Sequence, residues 1–193
     1  MTLDVIRLTA GEALDRYAAI PMVLEVASYY AVEAAPDDAV GIVLRERSVP
    51  IPYVKDYDQQ DGGPATWPGR FDLSEWNIIM AVDDGRDVGA AAACPGFPGD
   101  PSSAAVLWDI RVEAGSRRSR IGTVLVREQC SWARRNGYDW LKAETQNVNV
   151  TACHFYRRLG GRLGAIDRFA YANQPTIATE VRLDWYLPTT LST

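Results

Sequence analysis

Apolar residues recur in steps of three and four at Ile121, Val124, Leu125 and Trp132, with Glu128 the one polar member of the stripe. That period puts them on one face of a helix, predicted over 120–136. Arg134 and Arg135 in the last turn and Gly137 after it are stop signals. Residues 104–112 (AAVLWDIRV) read as a buried strand, and 138–144 (YDWLKAE) alternate like another. Asn149 caps a second helix that runs to about Leu159, where Gly160 and Gly161 end it. Residues 162–171 and 179–187 read as two more strands. Upstream, 76–82 and 87–94 flank Asp83-Asp84-Gly85-Arg86, a hairpin signal.

The N-terminal third is less sharply patterned. Its first 35 residues read as a strand followed by one or two helices around 10–31, and 41–49 as a further strand. Between 50 and 70 lie four prolines and three glycines, the composition of a long loop. Loops of that length inside a domain are more often functional than idle, so 50–70 is expected on the substrate side. The order of elements predicts a single α/β (α+β) domain over 1–193. Its mixed, largely antiparallel sheet has about seven strands flanked by about four helices.

Composition narrows the classes. The chain has 193 residues, 47% of them hydrophobic, enough for one sizeable core. It contains no apolar run of membrane-spanning length and no signal-peptide pattern at its start. Cys94, Cys130 and Cys153 are odd in number and unrelated in spacing, which favours reduced thiols in the cytoplasm over disulfides. With a single histidine besides, no metal site is expected.

Net charge is −5, but residues 114–168 carry 11 of the 20 Lys and Arg against four acids, a block of +7 in a remainder of −12. A basic block in an acidic chain suits a compact polyanion better than an extended nucleic acid. The acidic remainder suits a cationic co-substrate. The block opens on Arg117-Arg118-Ser119-Arg120-Ile121-Gly122, three arginines on a turn that starts the first helix. Backbone N–H groups at a helix start beside fixed positive charge suit a diphosphate.

These residues resemble the GNAT superfamily of acetyl-CoA-dependent N-acetyltransferases. Arg117 and Gly122 match that family's Arg/Gln-x-x-Gly-x-Gly/Ala motif, with Arg120 where its first glycine is usual. The second signature, Asn-x-x-Ala-x-x-Phe-Tyr-x-x-x-Gly, is matched at every fixed position by Asn149, Ala152, Phe155, Tyr156 and Gly160. A closer resemblance, to streptothricin acetyltransferases, covers about 45–57 (including SVPIPYVKDY at 48–57) and 78–187.

The resemblance implies acetyl-CoA held by Arg117, Arg118, Arg120, Ile121, Gly122, Thr123, Asn149, Ala152 and Tyr156, with backbone groups of Ile110 and Val112 pairing to its pantetheine arm. Asn149 would then be both cap and cofactor ligand. Arg120 would reach the 3′-phosphate or turn outward, and is strained if its φ is positive. Tyr156 matches the tyrosine that protonates the departing thiolate.

An amine of pKa ~10 must lose a proton before it attacks. Asp109 and Glu144, near strand ends beside the two motifs, are the candidate carboxylates. Tyr53, Asp56, Tyr57, Asp58, Asp167, Tyr171 and Trp185 would wall a cationic acceptor. The expected partner is a small-molecule amine, streptothricin among the candidates, and neither nucleic acid nor membrane; oligomeric state, a homodimer included, stays open. A protein or peptide acceptor, or a non-catalytic acyl-CoA-binding module, are the rival readings. Cys153-His154 makes a poor nucleophile–base pair, because adjacent helical positions do not face each other.

Overall fold

The helix predicted from the three-four period and the one predicted from the Asn149 cap are both present, and so is the hairpin around Asp84-Gly85. The computed structural model describes residues 3–9, 12–35, 41–96 and 103–190. Its elements in chain order are β1 Leu3–Arg7, α1 Glu12–Ala18, β2 Val23–Ala34, β3 Ile42–Asp56, α2 Tyr57–Asp61, α3 Trp67–Arg70, β4 Asn77–Asp83, β5 Arg86–Cys94, β6 Ala104–Val112, α4 Ile121–Arg135, β7 Trp140–Gln146, α5 Val150–Arg158, β8 Arg162–Asp167 and β9 Arg182–Pro188. Seven strands form one sheet in the order β1-β4-β5-β6-β7-β9-β8, and β2 pairs with β3 in a ribbon of their own. The neighbours β1, β4, β5 and β6 are antiparallel, and β6 and β7 run parallel. This is the mixed α/β architecture read from the sequence.

Two expectations change. Helix in the region 10–31 is confined to α1; residues 10 and 11, where it was expected to start, lie outside the described residues. Pro21 lacks an N–H, and the following run rich in Val and Tyr (Val23, Val26, Tyr29, Tyr30, Val32) fits a pleated surface better than a helix, so β2 forms instead. The stretch at 50–70 is likewise no irregular loop. β3 continues through Asp56, and the short helices α2 and α3 follow. Pro50 and Pro52 are tolerated because, among the described residues, β3 has only β2 as a sheet neighbour, which leaves one edge without a ladder to maintain.

The chain divides into two compact units, 1–23 with 56–143 and 186–193, and 24–55 with 144–185. In the first unit, strand alternation sends side chains to opposite faces of the sheet. Ile78, Met80, Ala90, Ala92 and Val106 pack with Leu14, Tyr17 and Ile20 of the α1 region and Trp67 of α3. The alternate set, including Ala91 and Ala93, faces α4. Gln129 is fully buried there and donates to the carbonyls of Asn77 and Ala91, each at 3.0 Å, while accepting from Asn77 Nδ2 at 2.8 Å. Those bonds fix the register of α4 on β4 and β5. Gly89 permits the close approach: a Cβ there would meet Ile121 Cγ2 at 2.8 Å and the Arg111 carbonyl at 3.0 Å.

In the second unit, buried Asn147 ties three segments together. Its Nδ2 donates to the Tyr30 carbonyl and its Oδ1 accepts from Val181 N–H, both at 2.9 Å. Lys55, at the end of β3, places its Nζ 2.6 and 2.5 Å from the two carboxylate oxygens of Glu180, with both side chains buried.

Candidate active site

The arginine turn grows out of the end of β6. Glu113 N–H still bonds the Val88 carbonyl at 3.0 Å, after which the chain leaves the sheet. Arg118 and Arg120 then take φ values of 69° and 67°, in the left-handed region. For a residue with a Cβ that conformation costs about 1–2 kcal/mol. The strain expected conditionally at Arg120 is therefore present, and Arg118 shares it. Arg120 is the N-cap of α4 but offers no side-chain acceptor. The first helical bond in this turn runs from Val124 N–H to the Arg120 carbonyl at 3.0 Å. Ile121, Gly122 and Thr123 thus present N–H groups at the positive end of a 15-residue helix without a capping side chain.

The three arginines divide in role. Arg117 is tied to backbone, its Nε donating to the Val112 carbonyl at 3.3 Å and its Nη2 to the Val23 carbonyl at 3.0 Å. Arg118 and Arg120 are exposed, with no ion pair among the described residues. The donor set, uncapped N–H groups beside two exposed cations, fits a diphosphate.

Beside this turn, β6 carries a bulge. Ala92 pairs with Asp109 but Ala93 with Leu107, so Trp108 is the extra residue. The parallel ladder to β7 runs from Ala104/Trp140 to Leu107/Ala143, and Ile110 and Val112 lie beyond its end. Bulges of this kind re-aim side chains and end pairing next to functional sites.

Just past the bulge, Asp109 joins a closed network. Arg111 Nε donates to its two oxygens at 2.9 and 3.2 Å, Arg111 Nη2 to Oδ2 at 2.9 Å, and the Tyr17 hydroxyl to Oδ1 at 2.8 Å. Arg111 also reaches both oxygens of Asp58, at 2.9 and 2.7 Å, and the Ile20 carbonyl at 3.0 Å. The Arg111 side chain is 1% exposed, Asp109 8% and Asp58 28%, so charge that reaches solvent does so at Asp58. Burial raises the Asp109 pKa against the opposing pull of Arg111 and Tyr17. Burial also holds the Tyr17 hydroxyl well above its usual range, with Asp109 adding to the effect. Burial works against the charge on Arg111, but Asp109 and Asp58 more than offset it, so the guanidinium stays protonated.

A family model described as the acetyltransferase (GNAT) family matches residues 48–161. The chain belongs to the GNAT family. It is 39% identical over 82 residues to streptothricin acetyltransferase A of Bacillus subtilis (strain 168), a match covering 42% of this chain and 47% of that protein. It is 31% identical over 135 residues, 68% of each chain, to a streptothricin acetyltransferase of Streptomyces lavendulae. A Bacillus anthracis (strain Ames) protein solved in complex with acetyl coenzyme A shares the fold, with a TM-score of 0.78 at 23% identity over 97% of this chain and 99% of that one.

The second GNAT signature lies on α5. Asn149 Oδ1 accepts from Ala152 N–H at 3.0 Å, which makes Asn149 a true N-cap. Val150, Cys153 and Tyr156 form the buried face of the helix. Phe155 is half-buried beside Tyr156, with ring centroids 5.3 Å apart. Cys153 faces Thr145 Oγ1 at 3.5 Å, and burial pushes its thiol pKa up. His154 Nε2 points elsewhere, 3.4 Å from both Tyr30 Oη and Glu46 Oε2. The adjacent thiol and imidazole are not a dyad.

In the same unit Glu144 is exposed and accepts from the buried Tyr171 hydroxyl at 2.8 Å, while Gln146 Nε2 donates to that hydroxyl at 3.3 Å. Arg182 gathers Asp167 at 3.3 Å, Asp184 at 3.5 Å and Glu144 at 3.9 Å. Burial and then Glu144 raise the Tyr171 pKa far above its usual range, so the phenol remains a donor to the carboxylate.

The expected acceptor wall is thinner than the sequence suggested. Tyr53 is exposed on β3, and Tyr57 is half-buried with its N–H on the Met22 carbonyl at 3.1 Å. Asp56 is instead the N-cap of α2, its Oδ1 accepting from Asp58 and Gln59 N–H at 3.0 and 3.2 Å. Trp185 is buried. A carboxylate occupied as a cap and an indole packed inside present little to an acceptor. Sequence reasoning missed Arg111 and Tyr17. The signal for Arg111 was an opposite charge two residues from Asp109 on the same face of an otherwise apolar strand.

Proposed function

We propose that this protein is an acetyl-CoA-dependent N-acetyltransferase acting on a primary amine of a cationic small molecule, with streptothricin the leading acceptor. The observation that carries the reading is the uncapped, arginine-bordered first turn of α4. Family membership, the acetyl-coenzyme-A-bound neighbour of the same fold and the streptothricin acetyltransferases among the relatives support it. Acetyl-CoA, when bound, supplies an acetyl group activated as a thioester. Ile121, Gly122 and Thr123 N–H groups with Arg118 and Arg120 would hold its diphosphate, and Arg117 would brace the turn through Val112 and Val23. Backbone groups of Ile110 and Val112, past the end of the ladder to β7, are left to pair with an extended arm.

For the proton on the amine, Glu144 is the better base: it is solvent-exposed and oriented by Tyr171. Asp109 is engaged at both oxygens and acts as a positioning residue. Tyr156 is assigned as the proton donor to the leaving group. The three free thiols are buried, as suits a protein of a reducing compartment.

The test is release of CoA thiol by purified protein with streptothricin, polyamines, aminoglycosides and N-terminal peptides as acceptors. Acetyl-CoA-dependent turnover of streptothricin is the expected result. Turnover of peptides alone moves the acceptor class to proteins, and binding of acetyl-CoA without turnover of any amine identifies a binding module.

A further inference from the structure

Trp108, the extra residue of the β6 bulge, stands at the open end of a series of aromatic rings. Its centroid lies 4.9 Å from Phe71 at 68° and 5.3 Å from Trp76 at 56°. Trp76 leads to Trp67 at 5.6 Å and Trp67 to Tyr17 at 5.3 Å. Tyr17 in turn donates to Asp109. Trp67 and Trp76 are buried, whereas Trp108 and Phe71 are half-buried.

Two further observations say what the open rings suit. The Phe71 ring already makes one cation–π contact, with the exposed guanidinium of its chain neighbour Arg70 5.0 Å from the centroid. At the far end of the series, beyond Tyr17, Asp58 and Asp109 share the single guanidinium of Arg111, which leaves these three groups with one negative charge in excess. A π face favours an ammonium or guanidinium by about 0.5–2 kcal/mol, and a nearby excess of negative charge acts in the same direction.

We propose that Trp108, with Phe71 beside it, packs against a cationic part of the acceptor and sets a preference for amines that carry a second positive charge. The proposal rests on the acetyltransferase reading and adds the side chains that discriminate among its acceptors.

The test uses the full chain with Trp108→Leu and Trp108→Phe. Initial rates are measured with a polyamine, with streptothricin and with a neutral primary amine of similar length, alongside calorimetric titration of CoA and of the polyamine. Trp108→Leu is expected to lower kcat/KM for the polycations about 2- to 30-fold relative to the neutral amine, the range equivalent to the π-face attraction. Trp108→Phe should restore most of that loss, and CoA affinity should not change in either variant. If Trp108→Leu does not fold, as circular dichroism would show, Phe71→Leu carries the same comparison. Equal losses for cationic and neutral amines, or no loss, overturn the proposal while leaving the acetyltransferase reading intact. Polyamine binding that Trp108→Leu weakens, in a protein that acetylates nothing, keeps the wall and overturns the enzyme reading.

Discussion

Replacing Arg111 by Met removes the one cation that serves two carboxylates. The wild-type guanidinium is 1% exposed and makes hydrogen bonds to Asp109, Asp58 and the Ile20 carbonyl. Met fills a similar volume, so little cavity forms, and the dominant cost is the stranded charge on Asp109, whose side chain is 8% exposed. Breaking one side of a buried pair costs about 3–5 kcal/mol. For a chain of this size each kcal/mol moves Tm by about 2–4 °C, so a fall of about 10 °C is expected.

The sign with pH is fixed by the same argument. Asp109 already sits above the ordinary carboxylate value through burial, and loss of Arg111 raises it further. A group whose folded pKa exceeds its unfolded value stabilises the fold most below the unfolded pKa, about 3.9, and loses that contribution as pH rises through the folded value. The variant should therefore come closest to wild type near pH 4–5 and fall furthest behind near pH 8. Adding Asp109→Asn should recover about half of the deficit at pH 8, because a neutral amide strands no charge. Thermal unfolding of the single and double variants across that range is the assay. A Tm change under 2 °C, a deficit independent of pH, or no recovery in the double variant would refute the account of the network.

Three further expectations concern the proposed cofactor and proton-transfer groups. Arg120→Gly removes a left-handed residue with a Cβ, at 67°, and should raise Tm by about 2–4 °C, whereas Arg120→Val should lower it; a fall in both variants would show that the conformation carries no strain. Gly89→Ala puts a Cβ 2.8 Å from Ile121 Cγ2 and should displace the first turn of α4, costing about 1–3 kcal/mol and weakening CoA binding in calorimetry; unchanged affinity would separate that turn from the cofactor. Tyr156→Phe should lower the acetyl-transfer rate about 100-fold or more with CoA affinity retained, and an unchanged rate removes the tyrosine from the proton path.

The residues that sequence reading placed well are those governed by neighbours a few positions away. The apolar period of α4, the Asn149 cap with its bond to Ala152, and the turn at Asp84-Gly85 are local contracts between side chain and backbone. The two signature segments are of that kind, which is why the family was readable from them. Where local preference was ambiguous, as in residues 23–34 and 50–56, strand pairing between β2 and β3 prevailed over the expected helix and loop.

What the sequence determined by itself was the family, the order of most elements and the arginine turn that opens α4. The tertiary structure decided which charges share a partner. Tyr17 and Asp109 are 92 residues apart, Asp58 and Arg111 53, and Lys55 and Glu180 125. No periodicity links such positions, because the folded arrangement of strands and short helices, and not spacing along the chain, brings them together. The tertiary structure also made Asp56 a cap, buried Trp185 and left Trp108 half-open at a bulge. Residue type names the chemistry a side chain is capable of, and burial and partners, which are properties of the assembled chain, select which of it is used.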